Sequence, residues 1–168
     1  SMSSKVILIG PPGSGKSTVG KVLAKELKLG FIDTDAQVAK LAGKSISDIF
    51  VEEGEAKFRS LERDAVMAAL SSDVGVVALG GGAILNEEIF SALEKEPRVV
   101  YLEVSISNAA PRVGFNTDRP LLVGNPRQQW LKLFEARREK YEHLGKIRIS
   151  TNNKKPKEVV AEIVGALQ

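Results

Sequence analysis

Apolar residues fall along this chain in two rhythms. Short runs rich in apolar residues occur at Val6–Ile9, Phe31–Asp33, Val74–Leu79, Val99–Val104 and Ile147–Ser150. Their length and β-branched content suit buried strands. Between them apolar residues recur at helical spacing, as in Val19, Val22, Leu23 and Leu27. This spacing predicts helices over Lys16–Lys28, Ala36–Leu41, Ser47–Val51, Glu55–Leu70, Ser107–Val113, Pro126–His143 and Pro156–Leu167. A further helix, with Asn86 as N-cap, runs to about Lys95, and Pro97 stops it. Strands that alternate with helices predict an α/β fold of three layers, α/β/α, with a five-stranded parallel sheet covered on both faces. Ligands in such sheets lie at the carboxyl ends of the strands.

The first strand runs into Gly-Pro-Pro-Gly-Ser-Gly-Lys-Ser-Thr at 10–18. This is the phosphate-binding P-loop pattern, Gly-x-x-x-x-Gly-Lys-Ser, in its required place between strand and helix. Gly10, Gly13 and Gly15 let the backbone pass close to phosphate oxygens. Amides of Gly13, Ser14, Gly15 and the helix start through Thr18 can face the anion. Lys16 reaches the β and γ phosphates, and the Ser17 hydroxyl can ligate Mg²⁺. The expected ligand is ATP with Mg²⁺.

Other strand ends carry further candidates. Asp33 and Asp35 flank Thr34, and on an extended chain their carboxylates lie roughly 6–7 Å apart on one side. Asp33 suits the metal and Asp35 an acceptor hydroxyl. The same residues also fit an Asx turn or a helix N-cap at Asp35. Gly80, Gly81 and Gly82 follow the third strand and offer backbone N–H groups without side chains. Arg59 and Arg137 lie in predicted helices, where either could pair with a neighbouring glutamate or hold a carboxylate in bidentate fashion. Asn116 to Leu122, between Gly114 and Gly124, reads as a mobile lid over about 114–124. Its Arg119 would stabilise charge on a transferring phosphoryl group. His143, the lone histidine, has no second histidine with which to form a site. Trp130 and Phe134, four apart, read as packing along one helix face.

Bulk composition narrows the partners. The 168 residues suit a single domain over 1–168, with 43% apolar and 27% charged residues. There are no cysteines, so disulfides and thiolate metal sites are excluded. The net charge is +3, and basic residues are scattered rather than gathered in a stripe, so nucleic acid is not an expected partner. No apolar stretch approaches membrane-spanning length, and the start lacks a basic region followed by an apolar one. The expectation is a cytoplasmic monomer that acts on small anionic molecules, without a membrane partner.

The ordered set of P-loop, Asp33-Thr34-Asp35, Phe58-Arg59 with Glu62, Gly80-Gly81-Gly82-Ala83, Arg119-Pro120-Leu121-Leu122 and Arg137-x-x-x-Tyr141 resembles the shikimate kinase family. These are small P-loop enzymes related to nucleoside-monophosphate kinases. The resemblance implies ATP-dependent phosphorylation of the 3-hydroxyl of shikimate, on the route to chorismate and the aromatic amino acids. It implies that Asp35 meets the shikimate hydroxyls and that Arg59 and Arg137 hold its carboxylate beside Gly80 to Gly82. The substrate region would be a helical insertion over about 33–61. Arg119 would act on the phosphates, while Arg112, Asn153 and Pro156 fall where the family holds adenine. Two rival readings are another small hydroxy-acid kinase, similar to gluconate kinase, and a nucleotide-binding regulatory module without turnover.

Overall fold

The computed structural model describes residues 4–113 and 125–168. Strand β1 (Val6–Ile9) leads through the P-loop into α1 (Lys16–Leu27). Strand β2 (Phe31–Asp33) follows, then α2 (Thr34–Ala42), α3 (Ile46–Glu53) and α4 (Glu55–Ser71). Strand β3 (Val76–Ala78) ends at the glycines, and a 3₁₀ turn over Ala83–Leu85 leads to α5 (Glu87–Glu94). The remainder comprises β4 (Val99–Glu103), α6 (Ile106–Val113), α7 (Pro126–Leu144), β5 (Ile147–Ser150) and α8 (Pro156–Leu167).

The sheet order is β2-β3-β1-β4-β5, and every pairing is parallel. All strands therefore present their carboxyl ends at one edge. β1 is central, so its P-loop has neighbours on either side. Alternation along the strands divides the core. Ile7, Ile9, Val77, Leu79, Val99 and Tyr101 face Val66 of α4, Ile89 and Leu93 of α5, and Tyr141 and Leu144 of α7. Val6, Leu8, Val76, Ala78, Val100 and Leu102 face α1 and α8 through Val19, Leu23, Val159, Val160 and Ile163. Each fully buried Leu or Ile contributes roughly 1.5–3 kcal/mol of transfer free energy.

The expected strands and helices are all present, with shifted ends. β3 is trimmed to three residues, although Gly75 and Leu79 still bond to β1 on either side of it. The larger difference is at Asp33. It caps α2, accepting hydrogen bonds from the amides of Asp35 and Ala36, so the helix starts at Thr34 and not at Ala36. Asp35 therefore sits in the first helical turn, not on an extended strand, and it is not the cap. Ser45, Asn86 and Asn125 cap α3, α5 and α7 in the same manner. α2, α3 and α4 pack around Val38, Ile49, Phe58 and Ala65, a small core of their own.

Gly145, at the turn between α7 and β5, leaves no room for a side chain. A Cβ there would lie 2.6 Å from Cβ of Tyr101 and 3.1 Å from the carbonyl of Tyr141. Both atoms are fixed by backbone, so relief requires moving the strand or the helix. Gly145→Ala is expected to lower stability by about 1–3 kcal/mol in urea unfolding. An unchanged unfolding midpoint would contradict this packing.

Candidate active site

The P-loop backbone takes conformations that favour glycine, with φ of +153° at Gly10, +82° at Gly13 and +94° at Gly15. A Cβ on Gly10 would come within 2.7 Å of the Leu102 carbonyl, and one on Gly13 within 2.8 Å of the Ala109 carbonyl. α1 begins directly after this turn without a capping side chain and without an acidic residue in its first turn. Its leading N–H groups and helix dipole are thus left for an anion. Ser14 is completely buried inside the loop. The Lys16 ammonium donates to the carbonyls of Gly10 (2.5 Å) and Pro11 (3.1 Å), so it lies folded over the loop.

Beside the helix start, the Ser17 hydroxyl donates to Oδ2 of Asp33. The two residues expected on the metal side are therefore joined, although 16 positions apart. A hydroxyl and a carboxylate are hard oxygen donors. Mg²⁺ usually takes one or two carboxylates and completes its shell with phosphate oxygens and water. The pair fits that chemistry. No group of three or more His, Cys, Asp or Glu suited to a metal occurs among the described residues. Thr34 fixes the start of α2 to the sheet through a bond to the Ala78 carbonyl (3.3 Å). That holds Asp35 at the mouth of the same cleft.

The cleft has a volume of about 350 Å³. Gly13, Gly15, Lys16, Ser17 and Thr18 form its donor side, and Asp33, Asp35, Gly80, Gly81 and Arg112 complete it. Gly82, Arg59 and Arg137 do not line this volume but adjoin it at the glycine stretch. A Cβ on Gly82 would meet the Arg59 guanidinium at 2.6 Å, and one on Gly81 would lie 3.4 Å from Nη1 of Arg137. Arg137 is 4% exposed, whereas neighbouring Arg138 points outward to Glu135 and Glu142. The helix register thus separates the two arginines.

Arg59 donates from Nη1 to Oε1 of Glu62 at 2.8 Å. Glu62 is 1% exposed, and its Oε2 is buried without a hydrogen-bond partner among the described residues. Burial pushes the Glu62 carboxyl above the usual carboxylate value, against the opposing pull of Arg59, Arg137 and Lys16. A concentrated patch of positive charge surrounds one carboxylate, which suits a site for a second, exogenous carboxylate.

On the far side, Arg112 bonds to the Gly13 carbonyl (3.1 Å), the Thr151 hydroxyl (3.0 Å) and the Thr151 carbonyl (2.8 Å). It ties the P-loop to the loop after β5. Asn153 is exposed, has φ of +56° and donates its amide to Asn108. Pro156 opens α8. Neither lines the cleft. Arg119 and the expected lid lie outside the described residues.

The sequence reading missed three connections. The Tyr141 hydroxyl donates to the Gly81 carbonyl at 2.6 Å, the Trp130 indole donates to the Pro12 carbonyl at 2.8 Å, and Arg112 reaches Thr151. The first two had a visible signal. Trp130, Phe134, Arg137 and Tyr141 follow a 4-3-4 spacing that puts them on one face of α7. The third joins residues 39 apart, and nothing local announces it.

Glu62 supplies a test of this electrostatic setting. Its raised pKa means that the folded state binds the proton more tightly, so its contribution to stability falls as pH rises through that pKa. Wild type is expected to gain stability relative to Glu62→Gln as pH is lowered from about 7 to about 4.5, measured by urea unfolding of both proteins. A wild type that loses ground over that interval would refute the assignment.

The shikimate kinase family model matches residues 12–168. A shikimate kinase of Thermobifida fusca is 52% identical over 165 residues, covering 97% of this chain and 95% of that protein. One from Streptomyces coelicolor is 46% identical over 163 residues, with coverage of 97% and 95%. Among solved structures, a shikimate kinase from Acinetobacter baumannii in complex with shikimate superposes with a TM-score of 0.93 at 33% identity, covering 97% of this chain and 92% of that one. A gluconokinase from Sinorhizobium meliloti 1021 gives a TM-score of 0.58 at 21% identity, a likeness of fold alone. On sequence and structure together, the chain belongs to the shikimate kinase family.

Proposed function

We propose that this protein transfers the γ-phosphoryl group of ATP to the 3-hydroxyl of shikimate, giving ADP and shikimate 3-phosphate. The observation that carries the reading is the adjacency of two subsites. Pro12 of the P-loop, whose helix N-terminus is open, and buried Arg137 both lie against Gly81, and Arg59 lies against Gly82. The whole of 1–168 acts as one domain, with the region of about 33–61 serving the acceptor.

Transfer is direct. The 3-hydroxyl oxygen forms a bond to the γ-phosphorus, the bond from that phosphorus to the bridging oxygen breaks, ADP leaves, and the hydroxyl proton is released late in the step by way of the Asp35 hydrogen bond. Lys16 moves from the loop carbonyls to the β and γ phosphates. Amides from Gly13 to Thr18 hold the remaining phosphate oxygens. Ser17 and Asp33 would hold Mg²⁺, which would supply positive charge to offset that of the phosphates. Asp35 faces the acceptor hydroxyl, orients it and accepts its hydrogen bond. A dissociative transition state puts little demand on early proton removal. Arg59 and Arg137 hold the acceptor carboxylate and so fix which hydroxyl points at the phosphorus. Arg119 adds a cation to the phosphates, and Arg112, Asn153 and Pro156 border the adenine.

Among the described residues no helix is long and apolar enough to cross a membrane. A cytoplasmic monomer acting on small molecules, with neither nucleic acid nor membrane as partner, is the setting that accords with the scattered charge and a cleft of this size.

ADP release from ATP is expected to depend on shikimate and not on gluconate, in a coupled assay. Asp35→Asn is expected to lower kcat by about 10²-fold or more. Truncating Arg59 or Arg137 should chiefly raise the shikimate KM. Nucleotide binding without acceptor-dependent ADP release would favour a regulatory module, and normal turnover by Asp35→Asn would remove Asp35 from the mechanism.

A further inference from the structure

Pro12 stands at the junction of the two subsites. Its carbonyl accepts the Trp130 indole N–H at 2.8 Å. Its ring carbons Cδ and Cγ lie 3.1 and 3.5 Å from the place a Gly81 side chain would occupy. The carbonyl of Gly81 is in turn held by the Tyr141 hydroxyl at 2.6 Å, and Arg137 covers the same glycine. Trp130, Arg137 and Tyr141 all stand on α7 and are 3%, 4% and 0% exposed. The contacts close a ring that runs from the P-loop to the glycine stretch, to α7 and back to the P-loop.

We propose that Trp130 is a positioning residue that couples occupancy of the phosphate site to placement of Arg137, and hence to affinity for the acceptor. The proposal rests on the assignment of ATP and shikimate to the two subsites. Pro11 and Pro12 have fixed φ angles and lack an N–H, so this stretch of loop is stiff. Lys16 rests on the Pro11 carbonyl. When it leaves for the phosphates, the peptide next to Pro12 loses a charged donor. The Trp130 bond passes the change to α7 as a whole, because a helix with several buried anchors on one face moves as a unit. Arg137 lies two turns along from Trp130 and shifts with it. Phe134, stacked on Trp130 with ring centroids 5.2 Å apart, holds the indole in its orientation. By reciprocity, shikimate must strengthen nucleotide binding by the same factor.

The test compares shikimate dissociation constants with and without ADP and Mg²⁺, by calorimetry, in wild type and Trp130→Phe. The substitution keeps an aromatic ring and removes the donor. Wild type is expected to bind shikimate about fivefold or more tightly with nucleotide present. In Trp130→Phe that factor falls to near one, while binding of each ligand alone changes little. A variant that retains the wild-type factor, or a wild type without one, overturns the proposal. Trp130 is the only tryptophan in the chain, so its emission gives a second readout that needs no variant. ADP with Mg²⁺ alone should shift it, and an unmoved emission at saturating ADP overturns the link even if Trp130→Phe fails to fold. Failure of both proteins to bind shikimate counts against the acceptor assignment, and the emission response to ADP then decides the Pro12 contact by itself.

Discussion

A methyl group on Gly82 would lie 2.6 Å from Nη1 of Arg59, and one on Gly81 would lie 3.1 Å from Cδ of Pro12 and 3.4 Å from Nη1 of Arg137. These glycines are buried at the end of β3, where backbone alone separates three elements that the chain delivers from distant positions. Their missing side chains allow the P-loop, α4 and α7 to meet. Everything distinctive about the site depends on that close approach. The P-loop supplies a place for phosphate, but only the thin glycine wall sets two arginines beside it.

The wall also explains the electrostatics. Lys16, Arg59 and Arg137 all act on the buried Glu62 carboxyl. Glu62 holds Arg59 through Nη1, and Glu55 lies 3.6 Å from its Nε. The parallel sheet makes the convergence possible, since every strand releases its chain at the same edge.

Much of this was legible in the chain, because local patterns encode local structure. Short runs rich in apolar residues marked the strands, and the P-loop motif located the donor site with its helix. Asn86, Pro126 and Pro156 marked helix starts through known capping chemistry. Asp33 was less readable. Either aspartate could cap a helix, and the choice depends on where β2 lets go of the sheet, which Thr34 settles by bonding to Ala78 on a neighbouring strand. Arg137 and Arg138 could not be told apart by residue type. Burial of one face of α7 against Gly81 decides between them. The Trp130 bond to Pro12 spans 118 positions, so the spacing showed a face without showing what that face would touch.

The central claim is that absent side chains on the glycine wall create the acceptor subsite without forming the phosphate site. Steady-state kinetics of Gly82→Ala test it most directly. The added Cβ must displace the Arg59 guanidinium, so the shikimate KM should rise about tenfold or more, equivalent to roughly 1.4 kcal/mol, with the ATP KM little changed. A Gly82→Ala enzyme with an unaltered shikimate KM would contradict the account.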